Sequence, residues 1–366
     1  MRIAFLSVFY PYRGGIAQFN AHLLEAMGRD HEVRAFNFTR QYPDFLFPGK
    51  TQFVTPEDKA VPVESTRLLD SINPFTWRKT AREILRWKPD VVVFSYWMSF
   101  FAPALGSVAA RLRRHGVKIV TVVHNAIPHE PKFFDRPLAR WFFQKCDRLV
   151  SMCDAVTTDI RSLCPDAAIV QFPHPVYDHF GAQEDKTAAQ QALGLVPGLR
   201  TLLFFGLIRD YKGLDLLIDA MSQLGPEYQL LIAGESYGSF ERYQAQIEAS
   251  GCADRIKVLN RYIADDEVPR LFSAADVCVL PYRSATQSGI TAIALHFEVP
   301  LVATPVGGLA ESIEQPGIGV MAHDVSAGAI AEAIRTLYAT GPDTFQENIR
   351  KVKATQTWPA FARKVL

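Results

Sequence analysis

The sequence predicts an α/β protein built from two doubly wound, Rossmann-like parallel sheets. Short apolar stretches alternate with longer amphipathic stretches along most of the 366 residues. This alternation is typical of repeated strand–helix units, whose strands pair in parallel. The chain is too long for one ordinary domain, and Pro173 and Pro175 interrupt the alternation near its midpoint. We therefore expect two domains of the same class.

The first domain is expected to span residues 1–177. Its uncharged stretch 91–110 approaches the length of a membrane span. A β-branched start, followed by Pro103 and Gly106, favours a buried strand and a helix instead. Residues 42–67 lack periodicity and predict loops. The predicted strands are 3–9, 32–38, 91–95, 118–124, 148–152 and 168–172, with a first helix at 17–27.

The second domain is expected to span residues 178–343, and the helical pattern of 344–366 predicts a segment that crosses back to the first domain. Two such sheets are expected to face each other across a cleft at the carboxyl ends of their strands, where open α/β folds bind ligands. The predicted strands are 201–205, 229–233, 256–259, 277–280 and 301–304, and the predicted helices are 213–224, 241–249 and 265–274.

Charge is distributed unevenly along the chain. The net charge of +1 argues against a general nucleic-acid binder, but residues 1–183 carry 23 Lys and Arg against 17 Asp and Glu, and the remainder carries 16 against 21. Basic residues also flank Trp97, Phe100 and Phe101, a mixture that suits peripheral contact with an anionic membrane. Scattered solvated charges are the alternative. Five cysteines without C-x-x-C spacing indicate free thiols and a cytoplasmic location. Together with the basic and aromatic residues, this predicts a peripheral position at the inner face of the membrane.

Two loops of the second domain have the residue types of an anion site. Arg209 and Lys212 follow a predicted strand, and a guanidinium fork, an ammonium group and a helix start together suit a diphosphate. Two solvated cations on an ordinary loop are the alternative. Gln287, Ser288 and Gly289 would present backbone amides at a second helix start, although a plain helix cap explains these types almost as well.

The first domain offers a glycine pair and a polar cluster after its predicted strands. Gly14 and Gly15 would let a backbone approach a ligand closely. The cluster comprises His124, Asn125, His129 and Glu130. A single histidine in a loop is more often structural, but its place at the end of a strand favours a ligand contact. Because the chain has no P-loop, dinucleotide fingerprint, H-E-x-x-H or D-x-D motif, we expect no metal and no cofactor.

In this order, these motifs resemble those of glycosyltransferase family 4, a retaining group with the GT-B fold. The resemblance covers nearly all of the chain. It rests on Gly14-Gly15-Ile16, His124-Asn125, Pro128-His129-Glu130, Pro173-His174-Pro175, residues 206–213, Ala233-Gly234-Glu235, Ala275-Asp276-Val277, Leu280-Pro281-Tyr282, Thr286-Gln287-Ser288-Gly289 and residues 300–311.

The resemblance implies metal-independent transfer of a sugar from a nucleoside-diphosphate sugar to a glycan or lipid-linked acceptor, with retention. It implies a donor-binding second domain and an acceptor-side first domain. The implied catalytic residues are His124, Arg209 and Lys212. The implied donor contacts are Gly14, Gly15, Gln287, Ser288, Gly289, Tyr262 near the nucleobase and Glu311. The acceptor-side candidates are Asn125, His129 and Glu130.

The chain departs from the family in one motif. The usual E-x7-E pattern would place glutamates near Ala285 and at Ile293, and neither position is acidic. The chain is similar to a sub-branch in which T-Q-S-G replaces that motif. Glu298 and Glu311 are then candidates for the ribose contact. A noncatalytic nucleotide-sugar-binding protein of the same fold is the alternative function, and a dehydrogenase is disfavoured because the dinucleotide fingerprint is missing.

Overall fold

The chain forms two compact units. The computed structural model describes residues 1–43, 51–54, 62–128, 132–177, 180–285 and 288–366. One unit comprises Met1–His174 together with Thr357–Leu366, and the other comprises Pro175–Gln356. The chain therefore leaves the first unit after His174 and returns to it at Thr357.

The first unit contains a parallel sheet whose strands are mostly joined by helices. Within the described residues, its strands are β1 (Arg2–Leu6), β2 (Glu32–Arg40), β3 (Ser65–Asp70), β4 (Val91–Tyr96), β5 (Lys118–Val123), β6 (Arg148–Ser151) and β7 (Ile169–Gln171). Its helices there begin with α1 (Gly15–Gly28), α2 (Pro74–Trp87), α3 (Ala102–Arg113), α4 (Asp135–Phe143) and α5 (Asp154–Leu163). The strand order is β3-β2-β1-β4-β5-β6-β7. The connections from the central pair β1 and β4 run in opposite directions, as in a doubly wound sheet.

The uncharged stretch 91–110 is a strand followed by a helix, as predicted. Every residue of β4 is buried, as expected for a central parallel strand covered on both faces. In α3, Gly106 lies directly beneath the ring of Trp141 on α4, and a Cβ atom there would overlap that ring. Among the described residues, no helix is long and apolar enough to cross a membrane.

Two predictions for this unit were wrong. Residues 65–67, predicted as loop, begin β3, which pairs with β2 at the edge of the sheet. Trp97, Phe100 and Phe101, expected on a lipid-facing surface, belong to the core: Trp97 and Phe101 are buried and Phe100 packs against them. Tyr42 holds this group, because its hydroxyl accepts a 3.0 Å hydrogen bond from Nε1 of Trp97 and its ring stacks on Phe100.

The second unit repeats the doubly wound plan. Its described strands are β8 (Arg200–Phe205), β9 (Tyr228–Ala233), β10 (Ile256–Leu259), β11 (Val277–Leu280), β12 (Leu301–Ala303) and β13 (Gly319–Met321). Its described helices are α6 (Lys186–Ala192), α7 (Leu214–Ser222), α8 (Glu241–Ala249), α9 (Val268–Ala274), α10 (Gly289–His296), α11 (Leu309–Ile313), α12 (Ala327–Thr340) and α13 (Pro342–Thr355). The strand order is β10-β9-β8-β11-β12-β13, with all neighbours parallel. The predicted fold class is confirmed.

The final segment, predicted as one helical stretch at 344–366, consists of two helices in different units. α13 ends at Thr355 and belongs to the second unit, whereas α14 (Trp358–Val365) belongs to the first. Trp358 and Phe361 of α14 pack edge-to-face on Phe19 of α1. This packing explains why the last ten residues are part of the first unit.

Candidate functional site

The loop after β8, residues 206–213, contains a buried lysine. Lys212 is only 9% exposed, and its ammonium nitrogen lies 5.6 Å from the centre of the Tyr282 ring. No carboxylate among the described residues pairs with it. Burial, together with the charge of Arg209, lowers the pKa of Lys212 to about 8. A buried cation without a carboxylate is costly in a folded protein, so this arrangement suits a negatively charged ligand.

Arg209 supplies the second cation of this loop. Its guanidinium carbon lies 4.5 Å from the centre of the Tyr237 ring, which restricts the side chain. Its Nε is buried and has no hydrogen-bond partner among the described residues. Arg209 and Lys212 together provide two positive charges whose donors are available to an anion.

Glycines let the loop pack closely around these cations. Gly213 has φ of 64°, and a Cβ atom there would overlap the carbonyl oxygen of Pro281. The main chains of the β8–α7 and β11–α10 loops are therefore in direct contact. Because β8 and β11 are neighbours whose connections run in opposite directions, this contact lies at the switch point of the sheet, where doubly wound folds bind ligands.

The β11–α10 loop, residues 281–288, contributes polar groups at the start of α10. Ser288 caps α10, since its Oγ accepts a 3.3 Å hydrogen bond from the amide of Ile290, and it also lies 3.3 Å from the hydroxyl of Tyr282. Gly289 is the first residue of α10 and is exposed. Ser288 thus caps the helix and also contacts Tyr282, whose ring lies next to the ammonium group of Lys212. Thr286 and Gln287 lie outside the described residues, and Gln287 is one of the predicted donor contacts.

Two further predicted donor residues, Tyr262 and Glu311, follow other strands of the same sheet. Tyr262 is half-buried after β10, in a segment held by the bidentate pair of Arg261 with Glu267 at 2.7 and 2.5 Å. Glu311 is half-buried in the first turn of α11, after β12. Glu298, weighed as a ribose contact, instead accepts hydrogen bonds from Arg350 at 2.7 Å and Lys353 at 3.1 Å.

In the first unit, the glycine pair opens onto free space. Gly14 precedes α1 with φ of 122°, a conformation that favours glycine. Among the described residues, no heavy atom lies within 4 Å of a Cβ atom placed at Gly14 or Gly15. The backbone there is accessible to a ligand, although nothing in the geometry selects a phosphate.

His124 is buried directly after β5. Its ring packs edge-to-face on Phe19 at 4.8 Å, and its Nε2 has no hydrogen-bond partner among the described residues. Burial, with a smaller contribution from His174, lowers the pKa of His124 to about 3. The imidazole is therefore neutral at physiological pH. Since buried polar atoms are normally satisfied, the bare Nε2 suits a ligand that completes its hydrogen bonding.

The acceptor-side candidates are only partly described. Asn125 follows His124 in the chain and is half-buried. His129 and Glu130 lie outside the described residues. Within the described ranges, no group of three or more His, Cys, Asp or Glu residues is placed to hold a metal ion.

Sequence reasoning missed two residues that shape the site. Tyr237 restrains Arg209, and Arg283 binds Asp215 through two hydrogen bonds of 2.7 and 2.5 Å. Arg283 is a charged residue of the β11–α10 loop, which also contains the predicted contact Ser288. Its partner is 68 positions away, and no local pattern indicates such a pairing.

Comparisons with known proteins point to one family. A sequence model described as "Glycosyltransferase Family 4" matches residues 13–178, and one described as "Glycosyl transferases group 1" matches residues 199–340. Together they cover most of both units.

Curated relatives align over part of their length. The chain is 32% identical over 213 residues to the GDP-mannose:glycolipid 4-beta-D-mannosyltransferase of Xanthomonas campestris, covering 57% of this chain and 56% of the relative. It is 28% identical over 274 residues to a D-inositol 3-phosphate glycosyltransferase of a Mycobacterium species, covering 70% of this chain and 61% of the relative. The chain thus spans a little over half the length of these relatives.

A solved structure matches the whole chain. The protein HepE of Anabaena, crystallised in complex with UDP, superimposes with a TM-score of 0.77 at 18% identity, over 100% of this chain and 98% of that one. At this identity the likeness establishes the fold. The two family matches and this shared architecture lead to one conclusion: the chain belongs to glycosyltransferase family 4 and has the GT-B fold.

Proposed function

We propose that this protein transfers a sugar from a nucleoside-diphosphate sugar to a glycan or lipid-linked acceptor. The observation that carries the proposal is the buried ammonium group of Lys212 next to Arg209, with no carboxylate partner among the described residues, at the switch point of the second sheet. A diphosphate supplies the negative charge that this arrangement lacks. The family membership and the nucleotide-bound neighbour support the same ligand class.

In this proposal, Lys212 and Arg209 stabilise the charge that develops on the leaving diphosphate. The bond between the anomeric carbon and the diphosphate oxygen breaks, the acceptor oxygen bonds to that carbon, and the acceptor's hydroxyl proton is released. Fixed cations in a site of low polarity are effective at this step because they need no reorganisation. With two cations in place, we propose that the reaction requires no metal ion.

His124 is proposed to contact the donor sugar through its Nε2. Because burial keeps the ring neutral, it would act as a hydrogen-bonding group rather than as a charged acid. Gly14 and Gly15 are proposed to bring main-chain amides to the donor phosphates. We further propose retention at the anomeric carbon, on the strength of the family resemblance. Proton NMR of the first product formed would distinguish it from inversion.

The acceptor is proposed to be lipid-linked, with the first unit touching an anionic membrane. The Xanthomonas relative is named for a glycolipid acceptor, whereas the Mycobacterium relative is named for inositol 3-phosphate. Phe133 is 94% exposed, and Trp141 is exposed near it in the chain. The basic residues around these rings, Arg136, Arg140 and Lys145, complement anionic headgroups.

The proposed contact with an anionic membrane can be tested with vesicles. We expect Phe133→Ser to reduce binding to anionic liposomes at low salt, whereas Val196→Ser, an exposed apolar position of the second unit, leaves it unchanged. Absence of binding by the unmodified protein at low salt would remove the membrane from the proposal and leave the donor chemistry untouched.

The central test is nucleotide binding followed by turnover. A thermal-shift screen across UDP, GDP, ADP and TDP sugars should identify the donor, because a ligand that binds only the folded state raises the unfolding temperature. Incubation of that donor with acceptor extracts, in the presence of a metal chelator, should then release the nucleoside diphosphate. Binding without release would favour the noncatalytic alternative, which the missing acidic motif keeps open.

A further inference from the structure

Arg283 joins the two loops that flank Lys212. Its main-chain amide donates a 2.6 Å hydrogen bond to the carbonyl oxygen of Tyr211, and its Nη1 donates a 3.1 Å bond to that of Asp210. The same guanidinium group binds both carboxylate oxygens of Asp215. One residue of the β11–α10 loop thus holds two positions of the β8–α7 loop and one position in the first turn of α7.

These bonds bracket the residues proposed to hold the donor. Lys212 lies between the carbonyl of Tyr211 and the carboxylate of Asp215 along the chain, and its ammonium group lies over Tyr282, the neighbour of Arg283. Gly213 packs against the main chain of Pro281. A shift of one loop against the other would therefore move Lys212 away from the start of α10.

The hydrogen bonds of Arg283 distinguish it from Arg209. Both terminal nitrogens of Arg283 are bound to Asp215, and one also binds the main chain. Arg209 has a buried Nε without a partner among the described residues. A guanidinium group whose two terminal nitrogens grip a carboxylate has that edge occupied and its charge offset, so it is less available to a diphosphate than Arg209.

We propose that Arg283 is a positioning residue, which locks the β8–α7 loop onto the β11–α10 loop so that Lys212 and Arg209 are held ready for the donor diphosphate. This role rests on the proposed function of the site. It differs from that of an ordinary surface ion pair, which contributes little, because here the pair fixes the relative position of two ligand-binding loops.

The test compares Arg283→Gln, Asp215→Asn and the double variant by donor affinity and by kcat and KM. Loss of alignment should lower kcat/KM by about tenfold to a hundredfold in either single variant. The double variant should be no worse than about twofold below the singles, because both remove the same contact. Arg283→Lys should restore only part of the loss, since an ammonium group cannot grip both oxygens.

Amide hydrogen exchange provides a readout independent of turnover. Residues 209–213 should exchange faster in Arg283→Gln than in the unmodified protein. Arg270→Gln is the matched control, because Arg270 forms a comparably exposed pair with Glu184 away from these loops. It should change neither the exchange nor the donor affinity.

Each contrary outcome has a separate meaning. If Arg283→Gln loses activity while Asp215→Asn retains it, the ion pair with Asp215 does not align the loops and the positioning role through that pair is wrong. If both retain full donor affinity and kcat/KM, the loops align without this pair and the role is also wrong. If the unmodified protein binds no nucleoside diphosphate, the proposed function falls and the role of Arg283 with it.

Discussion

Gly206 and Lys212 lie so close that the glycine makes room for the ammonium group. A Cβ atom at position 206 would lie 3.3 Å from Nζ of Lys212 and 2.9 Å from Cδ1 of Ile290. Gly206 also has φ of 96°, a backbone conformation that other residues rarely adopt. Both the backbone conformation and the space needed by Lys212 therefore favour glycine at the end of β8.

Gly206→Ala should weaken donor binding. The added methyl group displaces the ammonium of Lys212, and the backbone strain costs roughly 1–3 kcal/mol of folding free energy. Gly238→Ala is the control, because Gly238 has a similar φ of 100° but no heavy atom within 4 Å of an added Cβ. Thermal unfolding should show a loss of stability in both variants, larger for Gly206→Ala because its added Cβ also meets Ile290, whereas calorimetry should show weaker donor binding only for Gly206→Ala. Equal donor affinity in the two variants would contradict the contact.

Donor affinity should depend on the protonation of Lys212. Burial and Arg209 lower the pKa of Lys212 to about 8 in the ligand-free protein. The charged form, which attracts the diphosphate, predominates below that pH and is lost above it. We expect the dissociation constant of the nucleoside diphosphate to rise above pH 8, by at most about tenfold per pH unit. Titrations between pH 6.5 and 9.5 should show this rise, and a dissociation constant that stays level to pH 9.5 would exclude it.

Lys212→Met should change stability and activity in opposite directions. The lowered pKa corresponds to a cost of about 3 kcal/mol for holding the charge in the folded protein at neutral pH. Methionine removes this cost, so the unfolding temperature should rise while turnover falls on the order of a hundredfold or more. Because the folded-state pKa is depressed, the unmodified protein gains stability between pH 8 and the ordinary lysine pKa of 10.5, and its deficit relative to the variant should shrink there. A destabilised variant would argue for a structural role of the ammonium group.

His124→Gln should lower turnover without changing the shape of the pH profile. Burial and His174 lower the pKa of His124 to about 3, so the ring does not titrate between pH 5 and 8. Glutamine keeps a hydrogen-bonding group but misplaces it, and kcat should fall on the order of tenfold or more. Rate measurements from pH 5 to 8 should give parallel profiles, with His323→Gln, an exposed histidine of the second unit, as control. Loss of an acidic limb in the His124 variant would show that the ring is charged during turnover.

Sequence predicted the buried central strands closely. β11 has the predicted bounds and β4 extends the prediction by one residue, because continuous apolar runs in a parallel sheet have few alternatives. Among the edge strands, β3 and β13 were missed, whereas β10 was predicted with its observed bounds. An edge strand such as β3, Ser65–Asp70, buries few side chains, so its composition resembles that of a loop.

The site was predictable as a list of residues but not as an arrangement. Glycine and cation motifs in loops after strands identified Lys212 and Arg209, since residue type and position already restrict the chemistry there. The burial of Trp97 was not predictable, because basic residues nearby in the sequence suggested a surface while its ring packs with Tyr42 across 55 positions. The pairing of Arg283 with Asp215 was not predictable either, because it joins residues 68 positions apart. Contacts between residues far apart in the chain determine both features.

Phe361→Ala should destabilise the first unit and leave the nucleotide site of the second intact. Phe361 is fully buried and packs edge-to-face on Phe19 and Phe172, so removing its ring from the core should cost about 3–5 kcal/mol. Arg363→Ala, on the exposed side of α14, is the control and should be nearly neutral. Calorimetric unfolding in the presence of the nucleoside diphosphate should show an earlier transition for Phe361→Ala, while the dissociation constant of the ligand stays unchanged at low temperature. A parallel loss of ligand affinity would mean that the donor contacts proposed in the first unit carry part of that affinity, because Phe361 packs on Phe19, which in turn packs on His124.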